Sequence, residues 1–110
     1  MDNSELMSAY GIVLTTVGSK AEAVVIASAL VEAKLAACVN LFPMESVYRW
    51  QGTLQRETEW QLVIKTRLDC FDKLAAKVRS LHSYDTPELI ALPIERGSKD
   101  YLSWLGAQVV

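Results

Sequence analysis

The run Tyr10 to Val17, YGIVLTTV, is short, apolar and β-branched, which predicts a strand. Gly18 ends it. Ser19 then opens S-K-A-E, with Glu22 three positions on. This is a capping box: the Ser19 oxygen accepts from the Glu22 N–H, and the Glu22 side chain reaches back. A helix is predicted from Lys20 to Leu35. Val24, Val25, Ala27, Leu30, Val31 and Leu35 form a broad apolar stripe, and Lys20, Glu22, Ser28, Glu32 and Lys34 mark the wet face. From Ala37 to Gln51 the pattern becomes a long strand. Pro43 cannot donate to a ladder, so it marks a bulge or an edge. Gln51-Gly52-Thr53 reads as a turn, and Leu54 to Arg67 as a second long strand that closes a hairpin. Trp60, Leu62, Ile64 and Thr66 alternate with Gln61, Val63 and Lys65, so Val63 makes the second face apolar as well. Both strands exceed the usual length of about five or six residues. The hairpin is expected to project and to need a cover.

Asp69 is the expected N-cap of a second helix, Cys70 to Ser80, with Phe71, Leu74, Ala75, Val78 and Leu81 facing inward. A polar connection, His82 to Glu88, follows. Leu89 to Pro93, continuing through Ile94 and Glu95, reads as a fourth strand, and Ser98 caps a last helix, Lys99 to Leu105. Residues 1–8 read as a flexible tail. The order is β-α-β-β-α-β plus a short terminal helix. This is an α+β, ferredoxin-like plan: an antiparallel sheet with two helices on one face. Apolar residues on both faces of the hairpin favour a partner.

The composition narrows the function. A chain of 110 residues suits one domain, 1–110. It is 51% hydrophobic and 22% charged, against averages of about 45–50% and about 25%. That surplus points to association, and it falls in the hairpin around Val39, Leu41, Trp50, Trp60 and Val63. High apolar content with a net charge of −2 excludes intrinsic disorder. The acidic balance argues against nucleic acid as a partner, and the second long strand lacks the aromatic motif of an RNA-recognition module. No stretch approaches a membrane span of about 20 apolar residues. The polar start lacks the features of a secretory signal, so a cytoplasmic location is expected. Cys38 and Cys70 form no C-x-x-C and read as separate free thiols. The first loop holds no cysteine, which excludes thiolate metal transfer of the copper-chaperone kind.

Few residues announce chemistry. His82 is the only histidine, and Asp85, Glu88 and Tyr84 lie close by in sequence. Imidazole with carboxylates suits Cu²⁺ or Zn²⁺. Equally, His82 can end a helix and complement its dipole. Glu57, Glu59 and Lys65 share a strand face by even spacing. They can anchor a polar ligand, or form a solvated charged face. No spacing pairs a nucleophile with a base, so an enzyme is not expected, nor is a tightly bound cofactor.

The motifs resemble those of the CutA family of divalent-cation tolerance proteins. Leu35-Ala36-Ala37-Cys38-Val39-Asn40 is similar to its helix-to-strand signature. Ser46-Val47-Tyr48-Arg49-Trp50-Gln51-Gly52 resembles its S-x-Y-x-W-x-G hairpin. Glu59 with Ile64-Lys65-Thr66 looks like its E-x5-KT strand. His82-Ser83-Tyr84-Asp85-Thr86-Pro87-Glu88 resembles H-P-Y-x-x-P-E, and Tyr101-Leu102-Ser103-Trp104 the terminal Y-L-x-W. The chain departs at Ser83, where the family usually has proline, and this is expected to loosen the turn after His82. The first loop also lacks the family's frequent proline. The resemblance implies a homotrimer akin to the PII signal proteins, with long hairpins reaching across neighbours. It implies weak binding of Cu²⁺ or another divalent cation, with His82 and Glu88 as ligands. Its alternative is a PII-like sensor that binds a small anionic ligand between subunits. There Trp50, Glu59, Lys65 and Tyr84 would line the cleft, with Lys65 anchoring the anion.

Overall fold

The structure is a computed structural model and describes residues 9–110. The expected tail, 1–8, lies outside the described residues. The elements are β1 (Tyr10–Val17), α1 (Lys20–Glu32), β2 (Cys38–Trp50), β3 (Thr53–Arg67), a 3-10 turn (Leu68–Cys70), α2 (Phe71–Leu81), β4 (Ile90–Pro93) and α3 (Lys99–Gln108). The strands form one antiparallel sheet in the order β2-β3-β1-β4. This is the ferredoxin-like arrangement that the element order predicts.

The β2–β3 hairpin keeps one register from Cys38↔Lys65 to Trp50↔Thr53. Pro43 sits opposite Trp60 with no slip in that register. It is tolerated because β2 is an edge strand, not because of a bulge. Gln51 and Gly52 make the turn, with φ of 51° and 78°. Positive φ at both positions gives the twist that a two-residue hairpin loop needs. The hairpin extends well past β1, whose last partner on β3 is Trp60.

Alternation along β1 and β3 sends Val13, Val17, Leu62 and Ile64 to one face. There they pack against Ala23, Ile26 and Leu30 of α1 and Leu74 and Val78 of α2. Val39, Leu41 and Trp60 join this same core. The expectation that they form a second, partner-facing surface is therefore corrected for these three. Phe42, Ile90 and Leu92 occupy the opposite face and are exposed, with Val63 half-buried among them. A smaller cluster at the sheet's end joins Leu105 and Val109 to Ala37 and Cys70. Burial pushes the Cys70 thiol up, and its Sγ donates to the Val110 carbonyl at 3.3 Å.

Three local expectations change. Helix α1 stops at Glu32, short of Leu35. Lys34 takes a φ of 59°, and the N–H groups of Leu35 and Ala36 both return to the Leu30 carbonyl, at 2.9 and 3.2 Å. A lysine thus holds the left-handed position that glycine usually fills at a helix end. Val24, Val25 and Val31 of the expected stripe face solvent, while Ala23 and Ile26 face the core. The helix is apolar on nearly all sides, so periodicity does not phase it. Asp69 does not cap α2. It pairs with Arg67 at 2.8 Å, and the 3-10 turn leads into the helix instead.

Thr15 lies at the centre of this core, fully buried, and among the described residues its Oγ1 has no hydrogen-bond partner. Thr15→Val removes that orphaned hydroxyl and keeps the β-branched shape. It is expected to raise stability by about 1 kcal/mol, read as a higher urea midpoint with unchanged slope.

Candidate functional site

The face turned away from α1 and α2 carries a cleft of about 910 Å³. Its floor follows from register. Ser46 opposes Glu57, Met44 opposes Glu59 and Tyr48 opposes Gln55, so these side chains share one face of the projecting hairpin. Trp50 extends that row. Tyr84, Asp85, Thr86 and Glu88 of the 82–88 connection form the other wall, with Thr16 between. Among the expected cleft residues, Trp50, Glu59 and Tyr84 come together, and the expected metal ligand Glu88 joins them. Lys65 does not. It lies opposite Cys38 and Ile12, six positions from Glu59 and therefore about 20 Å along the strand.

The connection is held by a chain of hydrogen bonds centred on His82. The His82 side chain is fully buried. Its Nε2 lies 2.8 Å from the Thr16 carbonyl, and its Nδ1 accepts from the Tyr84 N–H at 3.0 Å. Both contacts are met by the neutral ring carrying its proton on Nε2. Both nitrogens are then occupied. A metal at Nδ1 must displace the Tyr84 N–H, so His82 stands behind the cleft as a support. It does not line the cleft. Nor is its ring free to serve as a general base.

Tyr84, so placed, donates its hydroxyl to Glu59 Oε2 at 2.9 Å. Burial pushes the Tyr84 phenol up, and the Glu59 hydrogen bond and the charges of Glu59 and Glu57 add to this. Tyr48 is raised too, first by the Glu57 carboxylate beside it. The sign for stability follows. The native state favours the protonated phenol, so its contribution is intact below the ordinary value of 10.0 and is lost as pH rises above it. Denaturation midpoints are expected to fall above about pH 10. Tyr84→Phe is expected to make that fall shallower, and an unchanged slope would count against the assignment.

Ser83 behaves differently from expectation. Its N–H and hydroxyl both reach the Glu22 carboxylate, at 3.0 and 2.9 Å. Proline has no N–H to donate. Serine here ties the turn to the start of α1, where looseness was expected. The Ser19 oxygen accepts from the Glu22 N–H at 3.2 Å as predicted, but the Glu22 side chain serves Ser83.

Tyr48 and Glu22 join the site beyond the residues expected from the sequence. Tyr48 was available from strand alternation, two positions from Trp50. Glu22 was not, because its partner lies 61 positions away. Among the described residues, no three His, Cys, Asp or Glu side chains gather closely enough to hold a metal ion. Among the described residues, Glu57, Glu59, Asp85 and Glu88 line the cleft, and no lysine or arginine does.

Fold and site together define a ferredoxin-like α+β protein with an acidic, aromatic-walled cleft on the open side of its hairpin. Residues 11–108 match the family described as CutA1 divalent ion tolerance protein. The divalent-cation tolerance protein CutA of Thermus thermophilus is 50% identical over 95 residues, covering 86% of this chain and 92% of its own. A structure titled as the periplasmic divalent cation tolerance protein CutA from Archaeoglobus fulgidus superposes with a TM-score of 0.90 at 42% identity. It covers 92% of this chain and 99% of that one. CutA1 from Oryza sativa gives a TM-score of 0.91 at 42% identity, covering 94% of this chain and 96% of its own. The chain belongs to the CutA1 family of divalent ion tolerance proteins.

Proposed function

We propose that this protein is a cytoplasmic homotrimer that serves divalent-cation tolerance and binds Cu²⁺ or a similar ion weakly at the cleft. The cleft's charge carries the reading: among the described residues, four carboxylates and no cationic side chain line it. Such a surface attracts cations and repels anions. The PII-like alternative needs an anchor for an anion, and Lys65 of the same chain lies about 20 Å along β3 from Glu59. Glu57, Glu59 and Glu88 are the proposed cation contacts, and His82 supports them through Tyr84. Weak affinity follows from ligands that are not pre-assembled.

The exposed Phe42, Ile90 and Leu92, beside two unpaired sheet edges, support association. Two free thiols suit a reducing compartment. Copper titration into the wild type and a Glu57→Gln/Glu88→Gln variant tests the site. Affinity is expected to drop in the variant, and equal affinities would remove the cleft from metal binding. Light scattering should give three times the 12.2 kDa chain mass. A single-chain mass at micromolar concentration would overturn the trimer.

A further inference from the structure

We propose that His82 is a proton-operated switch that holds or releases the 82–88 connection, and with it Tyr84. The switch stands whatever the cleft binds. In the neutral ring, Nδ1 accepts from the Tyr84 N–H at 3.0 Å, and the proton on Nε2 faces the Thr16 carbonyl at 2.8 Å. A proton taken from solvent onto Nδ1 leaves the Nε2 contact intact. It sets two donors, Nδ1–H and the Tyr84 N–H, against each other. The Tyr84 N–H must then move away, and the proton returns to solvent when the pH rises.

A new acceptor already stands beside the ring. Glu22 Oε2 lies 3.6 Å from Nδ1, on a side chain that is largely buried. Glu22 accepts from the Ser83 N–H at 3.0 Å and from the Ser83 hydroxyl at 2.9 Å. A carboxylate offers about four acceptor sites, so a third donor finds room. The backbone decides what gives way. The His82 N–H is bonded to the Val78 carbonyl at 2.9 Å, which ties the ring to the end of α2. The chain beyond it, at Tyr84, is therefore the part that shifts. A helix end also favours an imidazolium. The neighbouring elements bring further charges. Arg79 lies in the last turn of α2, and Tyr84 and Asp85 in the connection, the Tyr84 ring 4.8 Å from the imidazole. Glu59 of β3 stands behind Tyr84, and Lys20 of α1 is turned to the Trp60 ring. β1 presents the uncharged Thr16 carbonyl. Tyr84 carries the movement to the cleft, because its hydroxyl donates to Glu59.

His82 is the chain's only histidine, so its Cε1 proton reports the ring's charge without overlap. NMR titration of the full chain from pH 8 to pH 5, with no metal added, tests the switch across the span in which imidazoles titrate. The Tyr84 amide signal is expected to move together with the His82 signal. Its hydrogen-exchange protection is expected to fall about tenfold, while the amide of core residue Leu62 keeps its own. His82→Asn keeps an acceptor for the Tyr84 N–H but does not titrate, so protection there is expected to stay constant. Glu22→Gln keeps an oxygen for Ser83 and removes the charge that receives the imidazolium. The loss of protection is expected to shrink there to less than about threefold. An imidazole that titrates while Tyr84 keeps its protection overturns the proposal. So does a ring that stays neutral down to pH 5, or a loss that Leu62 shares. Release that persists in His82→Asn, or in full in Glu22→Gln, overturns it as well. The wild-type titration decides alone where a variant does not fold.

Discussion

His82→Ala is expected to destabilise the protein by about 3 kcal/mol and to weaken cation binding at the cleft together with stability. The imidazole is fully buried and bonded at both nitrogens, to the Thr16 carbonyl and the Tyr84 N–H. Alanine leaves both backbone groups without their partner, at about 1–3 kcal/mol each where water cannot reach them. It also leaves a hole behind the turn. Tyr84 then loses the bond that sets its backbone, and with it the geometry of its 2.9 Å contact to Glu59. His82→Asn separates the two effects. An asparagine oxygen accepts readily from the N–H two residues on, so it replaces the Nδ1 contact and loses only the Thr16 bond. Stability is expected to fall in the order wild type, Asn, Ala, measured as urea midpoints at one fixed protein concentration. Copper affinity in His82→Asn should stay near the wild-type value if His82 only supports the wall. A complete loss in both variants, with the Asn variant still folded, would instead make His82 a direct ligand.

Much of this site follows from short-range rules. Ser19 and Ser98 accept from Glu22 and Tyr101 as their spacing implies. Strand alternation with the turn at Gln51-Gly52 places Trp50 and Glu59 on one face, and the resemblance of the 82–88 segment brings Tyr84 and Glu88 to it. What stays hidden is what depends on distance along an element or across the fold. Even spacing shows that Lys65 shares a face with Glu59. It does not show that six positions of extended chain separate Lys65 from Glu59 by about 20 Å within one chain. A lone histidine beside carboxylates suggests a ligand until both ring nitrogens are accounted for, and one of the two partners, Thr16, is 66 positions away. The early end of α1 is hidden for another reason. Lys34 adopts a conformation that its residue type does not advertise.

Leu62→Ala is expected to cost about 3–4 kcal/mol, with a melting temperature lower by about 12 °C, and to leave the cleft's affinity unchanged. Leu62 is fully buried on the helix-facing side of β3, while Glu57, Glu59 and Tyr84 meet on the other side. The core and the cleft therefore share a strand but not a face, and stability and binding should separate. This is the opposite of His82→Ala, where they fall together. A folded Leu62→Ala variant with lost copper affinity would show that the hairpin transmits core strain to the cleft. Thr15 refines the magnitude. It is the cross-strand partner of Leu62, and its Oγ1 is orphaned in the intact core. The space left by leucine opens beside that hydroxyl, and a water entering there would satisfy it. In the Thr15→Val background the same space is wholly apolar and stays dry. Leu62→Ala should then cost more in Thr15→Val than in the wild type. A double-mutant cycle measures this difference directly, and strict additivity would mean that no water enters.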